Sequence, residues 1–305
     1  MAHGVPETIV RVRVPAKINL ALGVGPVADD GFHPLATVFQ AVSLYDELVV
    51  EQALPGSFRV ETTGMPVDDD DDHLAVRAAR LLATAYGDTS LGVNILVRKA
   101  IPVAGGMAGG SADAAGALLA CAELWNLDVS PDELADVGAQ LGSDVPFGLL
   151  GGTAVGTGRG DRLAPALSRG TYHWVIALPW GGLSTPEVYA RFDELTGDRR
   201  VSALQVPPDV LTALAAGDAR ALGAALTNDL QPAAIDLRPE LQQTLDAGLE
   251  LGAVGAIVSG SGPTCAFLAP DESAAIDLST ALQQSAGCAG VRRVTGPVPG
   301  ARLLC

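Results

Sequence analysis

Basic residues are scarce in this chain of 305 residues: 19 Lys and Arg stand against 35 Asp and Glu, a formal charge of −16. That excludes broad binding to nucleic acid or to an anionic membrane, both of which need a basic face. Cysteine is sparse as well. Cys121, Cys265, Cys288 and Cys305 are scattered with no CxxC pair, so neither a disulfide framework nor a zinc site is expected. They read as reduced, mostly buried thiols of a cytoplasmic protein. No basic segment followed by an apolar run opens the chain, and no stretch reaches membrane-spanning length without charge or glycine. Charged residues make up only 18% and apolar ones 48%, which argues against disorder and suits two domains of ordinary size, each with its own core. Two nucleotide signatures are missing too. No Gly-Lys-Ser/Thr closes a glycine loop in the manner of a Walker A loop, and the dinucleotide GxGxxG spacing is absent. There is no internal repeat, and the aspartates at 68–72 are the only low-complexity tract.

What is present centres on Ile101 to Ala115, where four glycines and small alanines, broken by Met107, lead into a helix-forming run from Ala112 to Leu124. Glycine lets the backbone approach a ligand and reach positive φ, so successive N–H groups can point into one concavity. The helix adds unpaired N–H groups and the positive end of its dipole. The combination reads as an anion site, most naturally for phosphate. A flexible linker is the alternative, but linkers seldom run straight into an alanine-rich helix with Ser111 at its start.

Around that loop, strands and helices alternate in an α+β pattern. Ile9 to Val24 reads as two strands, or one bent at Pro15, and Thr37 to Val50 and Val93 to Lys99 as further strands. Leu74 to Tyr86 is an amphipathic helix whose free N–H groups the preceding aspartates would cap; metal binding by that cluster is the less favoured reading. Ser130-Pro-Asp-Glu133 is a capped helix start, ending near Leu141-Gly142. Gly151 to Arg162 is a glycine-rich turning segment that closes the first domain, so the division falls into 1–165 and 166–305. Beyond it come a strand at His173 to Leu178 and helices near Pro186 to Leu195, Pro208 to Leu226 and Arg238 to Ala247. A strand at Gly255 to Ser259, a turn, a strand at Thr264 to Leu268 and a helix from Glu272 to Gln284 complete the pattern.

Several side chains stand out as chemistry. Asp144 lies between Gly142 and Val-Pro-Phe, where its carboxylate is either a helix cap or a fixed base. Lys17 sits in an apolar strand and either snorkels outward or faces a polar pocket. His33 follows Phe32 on a turn, the usual setting of a structural histidine. The small-residue turn Ser259 to Thr264 is either a tight hairpin or a source of backbone amides for a ligand.

In this order, Pro15-Ala-Lys-Ile-Asn-Leu20, Gly105-Gly-Met-Ala-Gly-Gly-Ser-Ala-Asp-Ala-Ala115 and Gly260-Ser-Gly-Pro-Thr264 resemble the motifs of the GHMP kinase superfamily. Within it, Asp30-Gly-Phe-His-Pro34, Gly142-Ser-Asp-Val-Pro146, Thr185-Pro186 with Tyr189, and Asn228-Asp229 are similar to the branch acting on a cytidine diphosphate sugar alcohol. The resemblance implies an N-terminal domain like ribosomal protein S5, a ferredoxin-like C-terminal domain and an active site in the cleft between them. It implies ATP and Mg²⁺, and transfer of the γ-phosphoryl group to the 2-hydroxyl of a methylerythritol unit in the non-mevalonate isoprenoid pathway. The alternatives are a kinase for homoserine or mevalonate, or a non-catalytic nucleotide binder on the same fold.

Carried over by position, Asp144 would accept the hydroxyl proton and Lys17 would lie beside it, so that the base works by placement. Gly105, Gly106, Met107, Ala108, Gly109, Gly110 and Ser111 would wrap the ATP phosphates, with Lys99 and Pro102 at the loop's entry also contacting the nucleotide. Phe32 and Tyr189 would sandwich the cytosine, His33 would read its edge, and Asn19 and Thr185 would hold the erythritol and phosphate portions. The protein ligands of the metal are left unassigned. A small-molecule substrate, no nucleic acid, no membrane, and a monomer or weak homodimer complete the expectation. The chain departs from the common loop Gly-Leu-Gly-Gly-Gly-Ser-Ser at Met107, Ala108 and Ala112, and alanine at 108 resists positive φ. Phe32 stands where tyrosine is frequent, and His73 where asparagine is.

Overall fold

The computed structural model describes residues 9–65, 73–86, 90–197, 204–285 and 288–304. Its first half is built on a long antiparallel pair, β1 (Ile9–Val24) and β2 (Leu35–Gln52), whose apolar residues are buried along most of both strands. β1 is one strand. Its ladder slips between Pro15 and Ala16, a bulge that accommodates the missing N–H of proline without ending the strand. After β3 (Phe58–Gly64), α1 (Leu74–Ala85) and β4 (Val93–Lys99), the chain enters α2 (Gly109–Leu124). Then follow α3 (Pro131–Ala139), α4 (Val145–Leu150) and the hairpin β5 (Thr153–Thr157) with β6 (Arg162–Pro165). The glycine-rich segment expected only to turn therefore forms two strands, with β5 pairing β2.

The second half runs β7 (Tyr172–Leu178), α5 (Thr185–Thr196), α6 (Pro208–Ala216), α7 (Ala219–Ala225), β8 (Thr227–Asn228), α8 (Gln231–Leu237) and α9 (Glu240–Glu250). It closes with β9 (Gly255–Val258), β10 (Cys265–Ala269), α10 (Glu272–Ser285), β11 (Gly290–Gly296) and β12 (Arg302–Leu303). The helix expected over Pro208 to Leu226 is two helices. Gly217 leaves the first in the left-handed region, and the Asp218 carboxylate caps the second through the N–H groups of Arg220 and Ala221.

Two sheets carry the architecture: an eight-stranded one with the path β12-β1-β2-β4-β3, to which β5, β6 and β8 attach, and an antiparallel one ordered β11-β7-β10-β9. The first sheet recruits β8 and β12 from beyond residue 165, so the chain returns to its N-terminal half twice. Mixed strands and helices in two sheets meet the α+β expectation. No helix among the described residues is long and apolar enough to cross a membrane.

α2 explains the alanine-rich run after the glycine loop. It is buried on nearly all sides, and a Cβ at Gly116 would sit 2.6 Å from a Leu48 methyl, so only small residues let it lie against β1 and β2. The aspartates at 68–72 fall outside the described residues, as does Cys305. The N-cap of α1 is His73, whose Nδ1 accepts a hydrogen bond from Ala75 N, in the role expected of the aspartates. α3 carries the complete capping box read from Ser130 and Glu133.

Candidate active site

The glycine loop joins β4 to α2 through three residues of positive φ: Ala104 at 50°, Gly106 at 75° and Ala108 at 60°. Ala108 takes the left-handed conformation that alanine resists, at a cost of about 1–2 kcal/mol. The cost is offset by fixation from outside the loop. Ser259 Oγ donates to Gly106 O (2.9 Å), Thr264 N to Gly105 O (3.3 Å) and Lys17 N to Met107 O (3.3 Å). A Cβ on Gly106 would stand 1.9 Å from Ser259 O, so this approach admits glycine alone. The Ser259–Thr264 turn joins β9 to β10, and Gly260 and Ser261 line the same cavity as the glycine loop. Asn228 holds that turn, Nδ2 donating to Val258 O and Gly260 O at 2.8 Å each.

Three residues assigned to the nucleotide are turned away from this cavity. Lys99 is buried, its ammonium bonded to Asp46, to Asp113 Oδ2 (2.7 Å) and to the carbonyl of Gly109 (3.0 Å). Its side chain therefore ties β2, β4 and the start of α2 together instead of reaching a ligand. Asp46 Oδ1 meanwhile accepts the N–H groups of Ala100 and Ile101. Met107 is fully buried, leaving only its backbone to the loop, and Pro102 is buried beneath Gly105. The cation is consumed inside because two buried carboxylates otherwise lack compensation. Burial raises Asp113 to about 8, with Lys99 opposing and Asp46 adding to the rise.

Gly105, Gly106, Ala108, Gly109, Gly110 and Ser111 do line the cavity, of about 410 Å³, together with Lys17, Asn19, Asp144 and Thr185. Lys17 is only 6% exposed and faces a polar pocket, so the snorkelling alternative is excluded. Its Nζ donates to Asn19 Oδ1 (2.6 Å) and lies 3.7 Å from Asp144 Oδ2. Asn19 is oriented in turn by Nδ2 donating to Thr37 Oγ1. Asp144 occupies the N-cap position of α4, yet its carboxylate makes no capping bond and stays partly open to the cavity. Thr185 Oγ1 lies 2.9 Å from Ser261 Oγ, tying the start of α5 to the β9–β10 turn within the second half of the chain.

Ser143, Thr185, Tyr189 and Leu35 also line an adjoining cavity of about 680 Å³, which Phe32, His33 and Arg159 share. The two volumes therefore meet along common walls. His33 packs against Tyr189 with ring centroids 5.0 Å apart. Its Nδ1–H donates to Gly25 O (2.7 Å) and its Nε2 faces the Asp193 carboxylate at 3.4 Å. Both ring nitrogens are therefore already addressed, and the ring serves as wall before it serves as a reader of a base edge. Burial, with Asp144 nearby, pushes the Tyr189 phenol up to about 12, so it remains protonated. Sequence reading missed Arg159 here. Its only signal was a cation inside a glycine-rich turn, whose position over Phe32 is set by the β5–β6 pairing.

The model for the GHMP kinases N terminal domain matches residues 73–152, and that for the GHMP kinases C terminal matches 210–287. A 4-diphosphocytidyl-2-C-methyl-D-erythritol kinase of Thermobifida fusca is 54% identical, over 97% of this chain and 99% of the relative. One from Cutibacterium acnes is 53% identical, over 97% of each. Among solved structures, a 4-(cytidine 5'-diphospho)-2C-methyl-D-erythritol kinase superposes with a TM-score of 0.74 at 35% identity, over 93% of this chain and 98% of that one. A homoserine kinase from Cytophaga hutchinsonii reaches 0.76 at 17% identity over the whole of both chains, a likeness of fold. With both domain models in register and relatives of this identity along almost its entire length, the chain belongs to the GHMP kinase family.

Proposed function

We propose that this chain transfers the γ-phosphoryl group of ATP to the 2-hydroxyl of 4-diphosphocytidyl-2-C-methyl-D-erythritol, the substrate named for its relatives. One observation carries the reading: the Lys17–Asp144 pair sits under a glycine loop in a cavity that continues into an aromatic-walled one of about 680 Å³. A kinase of this kind needs positioning and charge stabilisation more than covalent chemistry. The ATP phosphates lie along the amides of Gly105 to Ser111, at the positive end of α2. Asp144 accepts the proton as the hydroxyl attacks, and Lys17, fixed by Asn19, stabilises the alkoxide that develops. The cytosine enters between Phe32 and Tyr189, with Asn19 and Thr185 toward the transferring end.

Among the described residues no cluster of His, Cys, Asp and Glu could hold a metal by itself. The oxygens present instead suit Mg²⁺ borne on phosphate, with the Ser111 hydroxyl as the protein donor at the loop, because this ion keeps waters and phosphates among its ligands. Bound there, it would neutralise phosphate charge. One chain lines both cavities, in keeping with action as a monomer or weak homodimer, and the buried thiols of Cys121 and Cys265 fit a reducing cytoplasm.

The test is ADP release with Mg²⁺ and three acceptors offered separately: the cytidyl substrate, mevalonate and homoserine. Turnover with the first alone, inhibited by free CMP, is expected. Turnover only with mevalonate or homoserine would keep the loop and discard the cytidine cavity.

A further inference from the structure

Phe32 has no hydroxyl and is half exposed, so nothing of its own fixes the ring that is to form one wall of the larger cavity. The ring is instead a partition. On one side lies the cavity shared with Tyr189; on the other lies a smaller one of about 270 Å³, lined by Asp30, Pro34, Gly158, Arg159 and Asp161 as well. Arg159 braces it: the guanidinium carbon stands 4.2 Å from the centroid of the Phe32 ring, within cation–π range. Asp30 completes the unit. One carboxylate oxygen accepts Phe32 N at 3.0 Å and the other faces Arg159 Nε at 3.8 Å.

The brace is itself anchored. Arg159 N donates to Asp161 Oδ1 (3.0 Å), and Leu35 N donates to Gly158 O (2.7 Å), tying the β5–β6 turn to the start of β2, three residues beyond Phe32. The turn needs left-handed backbone on both sides of Arg159, which Gly158 (φ 70°) and Gly160 (φ 94°) supply. Arg159 is also the only lysine or arginine lining the larger cavity among the described residues.

We propose that Arg159 is a positioning residue for nucleobase recognition, acting through Phe32: it holds the ring in the plane that a base stacks against. This rests on the cytidine reading above and extends it to a residue outside the motifs that identify the family. Arg159 could instead pair with the substrate's phosphates, and the two roles part on ligands with and without them.

The experiment is calorimetric titration of the full chain with cytidine, CMP and CDP, in the wild type, Arg159→Ala, Phe32→Leu and the double variant. It is accompanied by KM and kcat for both substrates. Arg159→Ala should weaken cytidine, CMP and CDP by the same factor, about two- to fivefold, the range of a half-exposed cation–π contact. KM for the cytidyl substrate should rise alike, while KM for ATP and kcat at saturation stay put. In the Phe32→Leu background the loss should vanish. A CDP loss well above the cytidine loss, an undiminished loss beside Phe32→Leu, or no loss at all would each overturn the proposal. A wild type that binds none of the three ligands would overturn the cytidine cavity itself; one that binds them but ignores Arg159→Ala overturns this inference alone.

Discussion

Lys99 Nζ lies 2.7 Å from Asp113 Oδ2 and donates at 3.0 Å to the carbonyl of Gly109, the first residue of α2. A buried cation thus fixes the glycine loop from behind, at the point where it enters α2. With Asp46 on the same ammonium, two carboxylates share one lysine, and Asp113 rises to about 8, chiefly through burial.

The sign of the pH effect follows. Asp113 in the folded chain holds a proton between about pH 4 and 8 that the unfolded chain has released, so its contribution to stability is lost as pH rises through about 8. Thermal melts of the wild type at pH 6 and pH 9 should show lower stability at the higher pH, and Asp113→Asn should flatten that slope while remaining folded. Asp46→Asn should behave differently. It replaces the charged partner of Lys99 with a neutral amide, whose one remaining oxygen still accepts the Ala100 and Ile101 N–H groups, and removing one charge of such a buried pair costs about 3–5 kcal/mol. Equal damage from both substitutions would contradict the assignment of the extra proton to Asp113.

Ala108 stores strain that glycine would release. At φ 60° an alanine is disfavoured by about 1–2 kcal/mol, partly offset by the greater unfolded freedom of glycine. Ala108→Gly should therefore raise Tm by about 2 °C without raising KM for ATP. A fall in Tm would mean that the left-handed turn costs nothing there.

Gly106 permits no such freedom. Its Cβ would meet Ser259 O at 1.9 Å, so Gly106→Ala must separate the glycine loop from the turn that holds it. A misplacement of about 1 Å in positioning groups costs on the order of a hundredfold, and kcat/KM for ATP should fall by that much. Circular dichroism of the variant should match the wild type if the damage stays local to the loop. Retention of ATP affinity would show that the interlock is dispensable.

Much of the fold was legible because its signals are local. The capping box at Ser130, the strand at Val93 to Lys99 and the alanine-rich helix after the glycines all stand where the sequence puts them. What escaped depends on partners far along the chain. β8 and β12 are two-residue strands that exist only because β1 offers edges to them, and the Gly151 to Arg162 segment becomes a hairpin only against β2. The site follows the same division. Lys17, Asn19, Asp144 and Thr185 converge as their motifs imply. Lys99 reads as a ligand contact in sequence because nothing local reveals that Asp46, 53 positions earlier, claims it. Arg159 carried no motif at all.

The most direct test of the account is single-turnover ADP formation with 4-diphosphocytidyl-2-C-methyl-D-erythritol, comparing wild type, Asp144→Asn and Lys17→Met, with ATP binding measured on each. The Asp144 variant should lose about a hundred- to ten-thousandfold in rate, and the Lys17 variant about a hundred- to thousandfold, with ATP affinity kept. A wild type active on this substrate whose Asp144→Asn variant turns over at the same rate would contradict the base, and with it the central claim.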